Sequence, residues 1–153
     1  MYDIIQFKAS KEEEKRTGLQ LIYSQSLAQN TFKTFLNLED AKNQLRHIKI
    51  VHFPLYKIDQ GIIRKIKENQ NIVAIALSDF FLIDEKELSN RLSRLQFFIK
   101  IVKKFDLDVR FFTLAKNTYQ LRTKYELLFA AKYFGFDINY INKIEKEKFS
   151  IKM

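Results

Sequence analysis

The densest concentration of reactive side chains in this sequence lies between Arg91 and Lys124, where Lys and Arg outnumber Asp and Glu by nine to two. Arginine presents a planar fork that can grip phosphate through two parallel hydrogen bonds, lysine a mobile point charge, and Asn, Thr and backbone N–H groups short-range donors to phosphate or sugar oxygens. The positions that fit this chemistry are Arg91, Arg94, Lys100, Lys103, Lys104, Thr113, Lys116, Asn117, Arg122 and Lys124. Tyr119, in the same polar run, could stack on an exposed base. A polyanion is the natural partner of such a segment. Each residue also has a plainer reading: Asn117 or Thr118 caps a helix, Tyr119 packs inward, and the charges keep a surface soluble.

Catalytic constellations are sparse by comparison. The histidines are His47 and His52 alone, five apart across an expected helix-to-strand junction, too few for a multi-histidine hydrolytic metal site unless carboxylates supply nearly everything else. His52 sits in an apolar run and reads as a hydrogen-bonded structural residue. Without cysteine there is no thiolate site and no disulfide, and three glycines leave no Gly-rich phosphate cradle. Asp59 and Asp79, each after a strand, could in principle pair as acid and base, but helix capping explains them better.

These residues need a scaffold, and short apolar runs alternate with helix-like stretches in the manner of a parallel α/β sheet. Strands are expected over Asp3 to Phe7, Leu19 to Ser24, Ile48 to Phe53, Ile72 to Leu77 and Val109 to Leu114, the third stopped by Pro54. Helices are expected over Asp40 to His47, Ile58 to Asn69, Glu85 to Phe105 and Tyr119 to Phe134, with shorter ones near Ser10 to Arg16 and Asn139 to Lys148. The strongest is Glu85 to Phe105, where Leu88, Leu92, Leu95, Ile99 and Val102 form one apolar stripe. Asp84 and Glu87 are spaced for a capping box at its start. Lys100 and Lys104 then fall opposite the stripe, Arg91 and Lys103 flank it, and Arg94 lies farther round. The helix from Tyr119 should stop at Gly135, with Lys132 in its last turn.

The formal net charge is +9, and nearly all of it belongs to residues after Ser89. The chain length suits one domain over 1–153 that buries about two-thirds of its extended surface. A cytoplasmic protein is expected, since Met1 to Lys15 carries the acidic cluster Glu12 to Glu14 and is unlike a secretory or transit signal. No apolar run approaches the roughly 20 residues needed to span a bilayer as a helix, so no membrane association is expected.

The run from Arg91 to Phe136 resembles protein component 3 of archaeal and eukaryotic ribonuclease P. The resemblance rests on Arg91 and Arg94, the run Lys103 to Val109, Thr113, Ala115, Lys116 and Asn117, Tyr119 to Arg122, Leu127, and Phe134 with Gly135. Ile48 to Pro54, Ile62 to Ile66 and Val73 to Leu77 extend it upstream, so that roughly two-thirds of the chain takes part. Lys124 departs from the family pattern, which has Pro there. The resemblance implies a parallel TIM-barrel-like fold of the PHP-like kind, and five readable strands rather than eight imply a short, reduced form with an open or incomplete barrel. Open sheet edges favour a covering partner or a self-dimer.

What the resemblance implies for function is a non-catalytic, RNA-binding subunit of ribonuclease P, which removes 5′ leaders from precursor tRNA. Catalysis would be carried by the RNA, with Mg2+ serving the holoenzyme and no cofactor bound by this chain. The implied partners are the catalytic RNA, the ferredoxin-like protein component 2, the other ribonuclease P proteins, a second copy of the chain, and precursor tRNA indirectly. Two other readings stand beside it: a metal-dependent TIM-like phosphoesterase, and a stand-alone RNA- or tRNA-binding protein.

Overall fold

The computed structural model describes residues 1–148 and divides into two compact units. One runs from Leu27 to Arg110; the other joins Met1–Ser26 to the chain from Phe111 on.

In the Leu27–Arg110 unit, β3 (Phe32–Thr34), α2 (Leu38–Gln44), β4 (Ile50–His52), α3 (Gln60–Asn69), β5 (Ile72–Ala76) and α4 (Glu85–Lys104) follow one another, and β6 (Asp108–Phe112) begins in this unit and ends in the other. The strands lie in the order β3-β4-β5-β6, with β3 to β4 and β4 to β5 parallel. Ile50 faces Ile72 and Val51 faces Val73 across the central pair. Both strands are buried along their full length, as a sheet covered on two faces requires. Each helix starts on a side-chain cap: Asn37 accepts from Asp40 N, Asp59 from Ile62 N and Asp84 from Glu87 N. Leu95, Phe98, Ile99 and Val102 form the buried stripe of α4. Asn71 donates its amide to the carbonyls of Leu45 and Ile48, closing the turn that leads into β5.

In the other unit β1 (Tyr2–Ile5) and β2 (Gln20–Tyr23) are parallel and joined by α1 (Lys11–Thr17). Ser10 and Glu13 make a reciprocal capping box, and Gly18 ends α1 at φ 69°, a left-handed conformation that glycine adopts without steric cost. The backbone beyond β6 runs alongside β1, with Leu114 N–H bonded to the Ile4 carbonyl and Gln6 N–H to that of Ala115. Asp3, fully buried in β1, accepts from both the backbone N–H and the hydroxyl of Thr113. Helices α5 (Lys124–Tyr133) and α6 (Ile138–Lys146) complete the unit; Thr123 and Glu126 cap the first, Asp137 the second. Phe111 stacks on Phe134 and meets Phe136 edge-on.

All five expected strands are present and the class is the reduced parallel α/β fold anticipated from the sequence. A sixth strand, β3, went unread because it is three residues long, half-buried and centred on Lys33. The helix expected from Asp40 begins earlier, at Leu38, and tightens into a 3-10 turn over Leu45–His47. The expected helix from Tyr119 is two elements, a 3-10 turn over Thr118–Gln120 and then α5, because Thr123 supplies a second cap. The expected capping box at Asp84 forms only by half: Glu87 turns its carboxylate to Arg91.

Burial pushes the Asp3 carboxyl up from 3.8 to about 7, against the lowering effect of its Thr113 hydrogen bonds. The folded state therefore holds this proton across a window where the unfolded chain has lost it. Its contribution to stability is fully present below about pH 4 and is lost as pH rises through about 7. Asp3→Asn should remove this fall, worth roughly 4 kcal/mol at full amplitude, from denaturation midpoints measured between pH 4 and pH 8.

Candidate nucleic-acid interface

Three strands of the Leu27–Arg110 unit end beside one another, and their ends carry polar groups into a buried position. Thr34 ends β3, His52 ends β4, and Asp79 lies on the 3-10 turn Leu77–Phe80 that follows β5. His52 Nε2 lies 2.8 Å from Asp79 Oδ2, and its Nδ1 lies 3.1 Å from the Thr34 hydroxyl. With Nε2–H given to the carboxylate, a neutral ring leaves Nδ1 to accept from Thr34. The same Oδ2 accepts from the Tyr56 hydroxyl at 2.6 Å, and that hydroxyl in turn accepts from Ala76 N–H. Burial, then the Asp79 charge, drives the Tyr56 phenol well above its ordinary range, so it stays a donor.

Arg91, in the second turn of α4, closes the arrangement. Its Nη1 donates to the Asp79 carbonyl at 2.7 Å and its Nε to Glu87 at 2.8 Å. Only 4% of the His52 side chain and 10% of that of Asp79 meets solvent, and the buried group ties the second turn of α4 to the turn after β5. Asp59 is the helix cap it could have been, whereas Asp79 caps nothing and carries this cluster instead.

Beyond Arg91, α4 displays charge. Lys100, Lys103 and Lys104 are exposed and Arg94 is half-buried, with the Lys104 ammonium over the Phe105 ring. Phe97, off the apolar stripe, is 65% exposed. Positive groups held on a rigid helix can neutralise successive phosphates.

The other unit carries the polar loop. Thr113 is fully buried on Asp3 rather than presented at the surface, since its strand interior needs that hydroxyl. Lys116 is exposed, its backbone N–H held by Gln120. Asn117 caps the 3-10 turn through Tyr119 N–H, and Tyr119 points outward, 91% exposed, instead of packing inward. Arg122 donates to the carbonyls of Tyr119 and Leu121, and Lys124 pairs with Glu145 at 2.9 Å. Of the ten candidate residues, Lys100, Lys103, Lys104, Lys116 and Asn117 are exposed and Arg94 half-buried; Arg91, Thr113, Asn117, Arg122 and Lys124 bond within their own unit.

His47 is exposed and takes a hydrogen bond from its neighbour Arg46, so the two histidines serve different places. Among the described residues no three His, Asp or Glu side chains are grouped to hold a metal ion, and no helix is long and apolar enough to cross a membrane.

No protein-family model matches the sequence, and no curated protein is significantly similar to it. Among solved structures it is similar to a chain in the cryo-EM structure of archaeal ribonuclease P with mature tRNA, with a TM-score of 0.68 and 20% sequence identity. The match covers 92% of this chain and 62% of that one. The two share a fold, and this chain spans less than two-thirds of the other's length.

The Tyr56 hydroxyl is the joint between β5 and the Asp79 cluster. Tyr56→Phe should destabilise the protein by about 1–3 kcal/mol, because it leaves Ala76 N–H and one carboxylate site of Asp79 without their partner in a dry setting. Denaturant unfolding at neutral pH measures the loss.

Proposed function

We propose that this protein is a non-catalytic RNA-binding subunit of ribonuclease P, of the component 3 kind, supporting the catalytic RNA as it removes 5′ leaders from precursor tRNA. The observation that carries the reading is the likeness of fold, over 92% of the chain, to a chain of an archaeal ribonuclease P with mature tRNA. Its exposed lysines supply the physical means. Lys100, Lys103 and Lys104 on α4, and Lys116 in the other unit, can release counterions condensed on RNA and so give an affinity that falls with salt.

On this reading the partners are the catalytic RNA, the ferredoxin-like component 2 and the other ribonuclease P proteins, with precursor tRNA met indirectly and a second copy of the chain as a further contact. Mg2+ serves the RNA-based holoenzyme, and the assembly works in the cytoplasm. The protein's part is electrostatic and architectural: lysines at fixed spacing favour one folded arrangement of the RNA over more extended ones. Sequence reading by the protein is not required for that role.

Adding the chain to the catalytic RNA and the remaining subunits should raise cleavage of precursor tRNA at the 5′ leader; no gain would decide against this reading and for a stand-alone RNA-binding protein over a ribonuclease P subunit. Arg91 is a poor place to test phosphate contact, since its loss also breaks the bonds to Glu87 and Asp79. Lys100→Ala with Lys104→Ala should instead weaken RNA binding and reduce the salt slope by roughly one per lysine, with the melting curve unchanged. An unaltered slope in fluorescence anisotropy titrations would exclude these lysines as phosphate contacts.

A further inference from the structure

A cleft of about 400 Å³ opens between the loop after β4 and the side of α4. Phe97 and Ile101 line it from the helix, Tyr56 and Ile58 from the loop, and its charged lining residues are Arg94 and Lys57. The side chains of Arg94 and Lys57 form no hydrogen bond or ion pair with the described residues. Phe97 keeps 65% of its surface exposed while its neighbour Phe98 is 1% exposed, so α4 has an aromatic ring to spare on this side.

The loop wall is firmly held. Tyr56 adopts φ 52°, a left-handed conformation that costs a bulky residue energy and persists because its surroundings enforce it. Those surroundings are Asp79 on its hydroxyl, Phe80 stacked on its ring at 5.8 Å and Phe98 tilted against it at 5.6 Å.

The cleft's volume is near the lower end of the range of about 300–1,000 Å³ typical of small-ligand pockets, which suits a single nucleotide better than a docked helix. Its chemistry agrees: flat aromatic and branched apolar walls, and cations without a carboxylate among the lining residues. Lys100 and Lys104 stand three and seven positions beyond Phe97 on the exposed side of the same helix. A chain of phosphates entering or leaving the cleft would pass along them.

We propose that this cleft is a subsite for one unstacked nucleotide of single-stranded RNA, with the base stacked on Phe97 and the phosphate held by Arg94 and Lys57. It rests on the RNA-binding reading above and adds a place where unpaired RNA is distinguished from duplex. Aromatic stacking supplies affinity without releasing counterions, so its signature differs from that of the lysines.

The test uses the full chain with an adenosine octamer and a blunt-ended twelve-pair RNA duplex, titrated by fluorescence anisotropy at several salt concentrations. Phe97→Ala should weaken octamer binding roughly tenfold with its salt slope unchanged, and leave duplex binding as it was. Phe97→Trp, which keeps a stacking face, should retain octamer affinity. The subsite is overturned if Phe97→Ala stays within about twofold of the native chain on the octamer, if it weakens both RNAs alike, or if Phe97→Trp is as weak as Phe97→Ala. In the first of these cases, weakening of both RNAs by Lys100→Ala with Lys104→Ala would leave the RNA-binding reading standing. A native chain that binds neither RNA in a salt-dependent way would overturn both.

Discussion

A carboxylate removed from water has to be surrounded by donors, and the Leu27–Arg110 unit is arranged around meeting that demand at Asp79. One oxygen receives both the His52 ring and the Tyr56 hydroxyl, and the residue's own carbonyl receives Arg91. These three contacts reach the end of β4, the loop that follows it and the second turn of α4. Tyr56 adds β5 through Ala76 N–H. A change at Asp79 is therefore felt by every element that lines the cleft beside α4, including the strained backbone of Tyr56. The second turn of α4 is tied to it through Arg91.

Net charge and available charge are different quantities in this protein. Within the basic segment, Arg91 holds Asp79 and Glu87, Arg110 is buried on Asp108, Arg122 is bonded to backbone carbonyls, and Lys124 is paired with Glu145. Three of its four arginines are thus engaged in the fold, which suits a planar fork that holds several partners at once. Lys100, Lys104 and Lys116 are left at the surface. An excess of nine to two in the sequence narrows to a handful of basic side chains held at the surface.

Much of the fold was readable because apolar runs as long as Ile72–Ala76 and stripes as regular as that of α4 leave few alternatives. Caps were readable for the same reason: Asp84 and Asp59 precede their helices at the right distance. What escaped was what depends on distant partners. Phe32–Thr34 becomes a strand because β4 offers it a ladder, although its half-buried residues and central lysine show no strand pattern. Thr113 was read as a surface donor because nothing near it in sequence announces Asp3, 110 residues away. The members of the His52–Asp79–Tyr56 group lie on a strand end, a loop and a 3-10 turn, with 27 positions between His52 and Asp79, so they carry no local signal. Phe97 left a faint one, as an aromatic out of phase with the apolar stripe and three positions from Arg94.

The division between engaged arginines and displayed lysines bears on what kind of recognition is available. Reading a base edge takes a directional donor or acceptor pair, and a guanidinium provides one where an ammonium provides only charge. Of the two arginines of α4, Arg91 is committed to Asp79 and Glu87, so apart from the half-buried Arg94 the helix displays ammonium groups, and on the proposed RNA-binding reading these would answer to the density and spacing of phosphates. On that reading such a surface would follow the shape of a folded RNA and take little notice of its sequence. Discrimination on that reading would enter through a feature that charge density does not capture, and on α4 the proposed one is the exposed Phe97, a ring that an unpaired base can cover and a base inside a duplex cannot.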